Sequence, residues 1–256
     1  MRCLFKDNLP LAEFVLRILT DKPDLMVTEF ETQKDMKRLV GARSICLDVY
    51  ATDKAGKKYD LEIQRADKGA DPLRARYHSS AMDVENLNVG EPFNSLPETY
   101  TIFITEKDIF GRGQPIYFIE RRFRDTGKIF PDKSNILYVN GEYRDSSDIG
   151  KLMHDFSCTN AKDMYFDLMA ERTRCLKENP KGVREMCQVI EEMRAEERRE
   201  GWQAGWKQGR QEKMREVVLR MIAAETLSSE EIAQYSGLSL EEVKELQAEE
   251  QSKLQA

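Results

Sequence analysis

Two short alternating segments set around one polar turn constrain this chain more than any other feature. In residues 44–50 (Ser-Ile-Cys-Leu-Asp-Val-Tyr), Ile45, Leu47 and Val49 fall on one side of an extended strand, and Cys46, Asp48 and Tyr50 on the other. In residues 58–64 (Lys-Tyr-Asp-Leu-Glu-Ile-Gln), Tyr59, Leu61 and Ile63 oppose Asp60, Glu62 and Gln64. Between them, Thr52-Asp53-Lys54-Ala55-Gly56-Lys57 is turn chemistry, so the whole reads as a β-hairpin. The apolar faces of both strands must point the same way, and opposite residues share a face. Paired residue numbers therefore sum to an even value. A sum of 110 centres the turn on Ala55 and sets Asp48 across from Glu62, with Cβ atoms about 5 Å apart.

The rest of the chain places this hairpin in an α/β body. Asn8 and Pro10 read as a cap and a first-turn proline. Leu11, Phe14, Val15, Ile18 and Leu19 then repeat with helical spacing up to Asp21-Lys22-Pro23. Asp71-Pro72 opens a second helix that runs to about Leu87, ahead of Gly90. Tyr100–Thr105, Ile116–Ile119 and Ile136–Val139 are β-rich, and the pattern turns helical after about residue 148. This order predicts an α/β core over residues 1–150, a helical region over 151–225 and an acidic helical hairpin over 226–256. Within the second region Gly201, Gly205 and Gly209 recur every four residues beside Trp202 and Trp206. They read either as a stripe for close helix approach or as a loose spacer. In the tail, Ser228 with Glu231 and Ser239 with Glu242 are two capping-box starts, and Gly237 ends the first helix.

Charge depends on position. The chain carries 40 Lys and Arg against 46 Asp and Glu, a net −6. All of that excess lies in residues 225–256, where Glu225, Glu230, Glu231, Glu241, Glu242, Glu245, Glu249 and Glu250 face only Lys244 and Lys253. A tail so rich in glutamate suits self-association or a protein partner better than base reading. The remainder is neutral, with a basic stretch from Lys54 to Arg76 (Lys54, Lys57, Lys58, Arg65, Lys68, Arg74, Arg76 against Asp60, Glu62, Asp67, Asp71) that accommodates a polyanion. No apolar run approaches the roughly 18–20 residues of a membrane span. Charges at Arg2, Lys6 and Asp7 argue against a signal peptide. Cys3, Cys46, Cys158, Cys175 and Cys187 form no C-x-x-C pair and are expected to be reduced thiols, small apolar core side chains of a cytoplasmic protein.

Asp48 and Glu62 are the residues that could carry chemistry. Two close carboxylates repel unless a cation or a proton sits between them. An all-oxygen pair is what Mg²⁺, or Mn²⁺ in its place, accepts, and a metal so held serves phosphodiester hydrolysis. From spacing alone, the pair also reads as an ordinary solvated strand face.

These residues resemble the core of the PD-(D/E)xK nuclease superfamily, in which an aspartate precedes a Glu-x-Lys or Glu-x-Gln on the next strand. The chain is similar to the transposase-like, recombination-promoting branch over about residues 40–120. The likeness is carried by Leu47-Asp48-Val49-Tyr50-Ala51-Thr52-Asp53-Lys54-Ala55-Gly56, Tyr59-Asp60-Leu61-Glu62-Ile63-Gln64 and Arg74-Ala75-Arg76-Tyr77-His78-Ser79-Ser80-Ala81-Met82-Asp83. Leu87-Asn88-Val89-Gly90, Tyr100-Thr101-Ile102-Phe103-Ile104 and Asp108-Ile109-Phe110-Gly111 continue it. The resemblance implies a restriction-endonuclease-like mixed sheet flanked by helices, with a helical C-terminal extension. It implies a DNA endonuclease with Mg²⁺ or Mn²⁺ at Asp48 and Glu62, and Gln64 where the superfamily's lysine usually stands. Glu13 of the first helix is the candidate to complete the site. Arg74, Arg76 and Tyr77 are expected to meet DNA phosphates; alternatively, the arginines form surface salt bridges and Tyr77 packs beside Ala81 and Val84. His78, where the family more usually has a second tyrosine, is expected to be a core or surface histidine without a catalytic part. Arg121-Arg122-Phe123-Arg124 reads as a DNA-facing patch or as a solvated strand end. The competing functional reading is a catalytically silent nuclease fold that binds DNA or protein through its helical tail.

Overall fold

A computed structural model of the protein describes residues 2–36, 45–64, 70–224 and 226–254. Ser44, Arg65, Asp67, Lys68 and Glu225 of the segments discussed above lie outside the described residues. The chain divides into two compact units, Met1–Val189 and Ile190–Ala256.

The first unit is built on a mixed six-stranded sheet. Its strands are β1 (Val27–Asp35), β2 (Cys46–Asp53), β3 (Lys58–Gln64), β4 (Thr99–Thr105), β5 (Ile116–Ile119) and β6 (Ser134–Asn140), in the order β1-β2-β3-β4-β6-β5. β1–β2, β2–β3 and β5–β6 pair antiparallel, whereas β3–β4 and β4–β6 pair parallel. The hairpin register is the one its apolar face dictates: Val49↔Leu61, Tyr50↔Asp60, Ala51↔Tyr59 and Thr52↔Lys58 all sum to 110. Gly56 takes the positive φ (79°) that the turn requires. β1 had no sequence signal, because its polar composition (Val-Thr-Glu-Phe-Glu-Thr-Gln-Lys-Asp) matches an edge strand with little buried surface.

Helices cover both faces. The short α1 (Arg2–Phe5) leads into α2 (Leu9–Thr20), where Asn8 accepts from the Leu11 N–H and Asp21 closes the helix in a left-handed conformation. α2 buries Leu11, Val15, Leu16 and Leu19 in one cluster with Val49, Ala51, Tyr59, Leu61, Ile102, Ile104, Leu137 and Val139. α3 (Pro72–Asn86), capped by Asp71, is the crossover between parallel strands β3 and β4 and packs on the other face. α4 (Asp148–Ser157) and α5 (Asp167–Glu178) follow. Buried Asp155 fixes their junction by accepting from the Tyr165 and Phe166 N–H groups at 2.8 and 2.9 Å, where α5 begins.

The helix α6 (Pro180–Ala223) belongs in part to each unit. Gly201, Gly205 and Gly209 lie within it, so the segment is not a loose spacer. A Cβ added at any of them meets nothing within 4 Å, so the stripe supports no close approach among the described residues. In the second unit, α7 (Ser229–Ser236) and α8 (Leu240–Leu254) pack together. Ser228 and Glu231 make a full capping box, Ser239 and Glu242 repeat it, and Gly237 takes φ 73° at the end of α7. Val218, Ile232, Val243 and Leu246 form that unit's core. The five cysteines are free, as expected, but none is a core side chain: Cys175 and Cys187 are exposed and the others half-buried. No helix among the described residues is long and apolar enough to cross a membrane.

Candidate active site

On the α3 side of the sheet, a polar cluster lies where the β2–β3 ladder ends, beside the buried Phe103 and Tyr138. Asp60 and Glu62 alternate with Tyr59 and Leu61 along β3, so they leave the α2 core and face α3. Beyond Val49↔Leu61, the next two rungs use side chains. The Asp48 N–H donates to Glu62 Oε1 at 2.9 Å, and the Ile63 N–H donates to Asp48 Oδ2 at 3.1 Å. Each carboxylate thus satisfies a main-chain donor near the other. Both are deeply buried, Asp48 at 3% and Glu62 at 0% exposure. Gln64 Nε2 donates to Glu62 Oε2 at 3.2 Å. Asp48, Glu62 and Gln64 therefore come together as the hairpin register requires.

α3 adds two more groups. Arg74 reaches Glu62 Oε2 at 3.3 Å with its guanidinium, while its Nε donates to His78 Nε2, also at 3.3 Å. His78, almost wholly buried, lies with Nδ1 3.1 Å from Asp60 Oδ2 and 4.0 Å from Glu62 Oε1. With the proton on Nδ1, His78 donates to Asp60 and accepts from Arg74 at once. Phe103 packs edge-on against the imidazole, with ring centroids 5.5 Å apart. Helical spacing explains the pairing, since residues 74 and 78 are one turn apart on the face turned to β3.

Asp60 and His78 join the same cluster, and the hairpin alone did not single them out. Asp60 was legible only as a third polar residue on the strand face. Its meeting with His78, 18 residues away, depends on how the crossover helix docks. One more contact in the cluster had no sequence signal: Gln33, in a left-handed conformation (φ 57°) on β1, donates to Asp48 Oδ1 at 3.4 Å.

Other expected residues lie elsewhere. Glu13 sits on α2, which packs on the opposite, apolar face of the sheet. Its carboxylate accepts from the Val27 N–H at 2.8 Å and pairs with Arg17 at 2.6 Å, so it fastens helix to strand. Arg76 and Tyr77 are exposed on α3, and Tyr77 is not packed into the core. Arg121 pairs with Asp132 and Arg122 with Glu120, in the exposed segment that follows β5.

The electrostatics disfavour ionised carboxylates unless a cation or a proton offsets them. Burial pushes the Asp60 and Glu62 carboxyls well above their ordinary values of 3.8 and 4.5. Asp48 raises Asp60 further, and Asp60 and Asp48 raise Glu62. Asp60 Oδ1 is buried with no hydrogen-bond partner. Asp60, Glu62 and His78 each offer a ligand atom within 4.8 Å of the others. A donor set of two carboxylates and an imidazole, with one orphaned buried oxygen, fits a divalent cation.

A mixed sheet with an aspartate and a glutamate meeting at the end of a β-hairpin, under a crossover helix, is the framework of a PD-(D/E)xK nuclease fold. Residues 6–215 match the PD-(D/E)XK nuclease family transposases, and the chain belongs to that family. Its function is accordingly nuclease-like or transposase-related. No curated protein and no solved structure matches the chain.

Proposed function

We propose that the protein is a divalent-cation-dependent DNA endonuclease of the transposase-like, recombination-promoting type, acting in the cytoplasm. The observation that carries this reading is the meeting of Asp48 and Glu62, two buried carboxylates on adjacent strands whose negative charge needs a cation or protons to offset it. Family membership supports nuclease chemistry and DNA as the substrate. A Mg²⁺ or Mn²⁺ ion supplies Lewis acidity at a phosphoryl oxygen and an acidified water.

The chain's own residues do the remaining work. Asp48 and Glu62 would hold the ion, and their bonds to the Asp48 and Ile63 N–H groups fix the orientation of both carboxylates. Gln64 orients Glu62 through its amide; being neutral, it cannot stabilise developing negative charge as a lysine would. Arg74 supplies a permanent positive charge beside Glu62 that a scissile phosphate can share. Arg76 and Tyr77, exposed on the same helix, extend the contact along the DNA backbone.

The test is cleavage of supercoiled plasmid and of single-stranded DNA, with and without Mg²⁺ or Mn²⁺, beside Asp48→Ala and Glu62→Ala variants. Cleavage that depends on metal and disappears in both variants is the expected result; cleavage surviving in both sinks the assignment. DNA binding without cleavage under either metal favours the second reading, a catalytically silent nuclease fold working through its tail. The observation on that side is Trp202 and Trp206, 68% and 59% exposed on α6, as residues at a partner surface would be. The same pair supports self-association through residues 200–256. Deleting that segment is expected to reduce the solution mass to that of a monomer, and an unchanged oligomeric state refutes it.

A further inference from the structure

We propose that Asp60, Glu62 and His78 form a second divalent-cation position beside the Asp48–Glu62 pair, one that takes a first-row transition ion such as Mn²⁺ in preference to Mg²⁺. The inference rests on the reading of Asp48 and Glu62 as cation ligands and extends it, with Glu62 common to both positions.

Three observations carry it. The first is donor geometry. Octahedral coordination at about 2.1 Å sets neighbouring donors about 3 Å apart and opposite donors about 4.2 Å apart. Asp60 Oδ2 and His78 Nδ1 are 3.1 Å apart, and His78 Nδ1 and Glu62 Oε1 are 4.0 Å apart. The second is Asp60 Oδ1, fully buried in the same cluster without a hydrogen-bond partner. An oxygen left so costs stability unless something positive approaches it. The third is rigidity. Asp60 is held by strand pairing on both sides and Glu62 by its pairing with β4, and the His78 ring is fixed by Arg74 at Nε2 and by Phe103.

The choice of metal follows from the imidazole. Mg²⁺ prefers oxygen donors and keeps much of its water, whereas transition ions accept nitrogen readily. Coordination through Nδ1 releases the proton that His78 otherwise donates to Asp60, so the histidine exchanges a hydrogen bond for a metal bond.

The experiment is titration of the full-length protein with Mn²⁺, following the free-ion signal by electron paramagnetic resonance and the bound ion by its pulsed variant. Wild type is expected to bind two ions per chain, one of them showing nitrogen hyperfine coupling. His78→Gln and Asp60→Asn are expected to bind one ion each, without that coupling. Mg²⁺ competition should displace the uncoupled ion first. Absence of nitrogen coupling in the wild type overturns the proposal whether or not the variants fold, as does an unchanged stoichiometry in both variants. Asp48→Asn separates the two readings. If it removes no ion while the nitrogen-coupled one remains, the Asp48–Glu62 position fails and this one stands. If it removes one ion and the wild type shows no nitrogen coupling, the reverse holds.

Discussion

The two faces of β3 are one residue apart in sequence and opposite in physical character. Tyr59 and Leu61 are buried in the apolar core beneath α2, with Ile63 packed at its margin. Asp60 and Glu62 are just as deeply buried beneath α3, among carboxylates, an imidazole and a guanidinium. Burial stabilises the first face through the hydrophobic effect and penalises ionisation of the second. The contrast teaches that the α2 face holds the strand in place so that the α3 face can keep an arrangement that is unfavourable by itself.

Variants on each side can break this comparison. The largest effect on folding is expected from Leu61→Ala, which should lose about 2–5 kcal/mol in urea unfolding, because Leu61 is fully buried in the larger core. A loss below about 1 kcal/mol would mean that the apolar face does not carry the strand. Glu62→Gln should do the opposite. Cleavage and metal affinity should drop by more than about 100-fold, while metal-free stability at neutral pH falls by no more than about 1 kcal/mol.

The pH dependence sharpens the same point. In the unfolded chain Asp60 and Glu62 release their protons near 3.8 and 4.5, whereas burial keeps those protons bound in the folded chain. The folded state therefore holds more protons above about pH 4, and metal-free stability falls as pH rises from there through the folded-state values. Melting temperatures in a chelator should decline from pH 5 to pH 8. Added Mn²⁺ should remove most of that decline, and Glu62→Gln should reduce it, Asp60 keeping its share. A chelator profile that rises over the same range refutes the buried-charge account.

Smaller effects follow on each face. Gln64→Ala should reduce cleavage about 10-fold with unchanged unfolding, since it loses one orienting bond to Glu62. On the apolar side, Tyr59→Phe should cost about 1–2 kcal/mol, because the Tyr59 hydroxyl donates to Asp53 Oδ2 at 2.8 Å inside the protein. It should leave metal binding as it was.

The division between the faces also decides how much the sequence could tell. The hairpin register was legible because its two faces alternate cleanly and a one-residue slip would exchange core for charge. That constraint alone brings Asp48 to Glu62 and Gln64. The resemblance named the family, and the match over residues 6–215 agrees with it. Contacts that depend on docking were not legible. Asp60 meets His78 only because α3 crosses above β3, and helical periodicity does not specify against which strand a helix lies. Glu13 has the right chemistry on the wrong side, since α2 covers the apolar face. β1 escaped because an edge strand need bury little. Gln33 reaches Asp48 from a left-handed backbone that no local propensity announces.

The end of the β2–β3 ladder has one more consequence. The Asp48 and Ile63 amides have carboxylates as acceptors where strand pairing would offer carbonyls. Any ion that draws those carboxylates toward itself must lengthen or reorient the same two bonds. Solvent exchange at these amides, followed by nuclear magnetic resonance or mass spectrometry, is then an internal gauge of occupancy. It reads the Asp48–Glu62 pair from the backbone, with no substrate present and no side chain replaced.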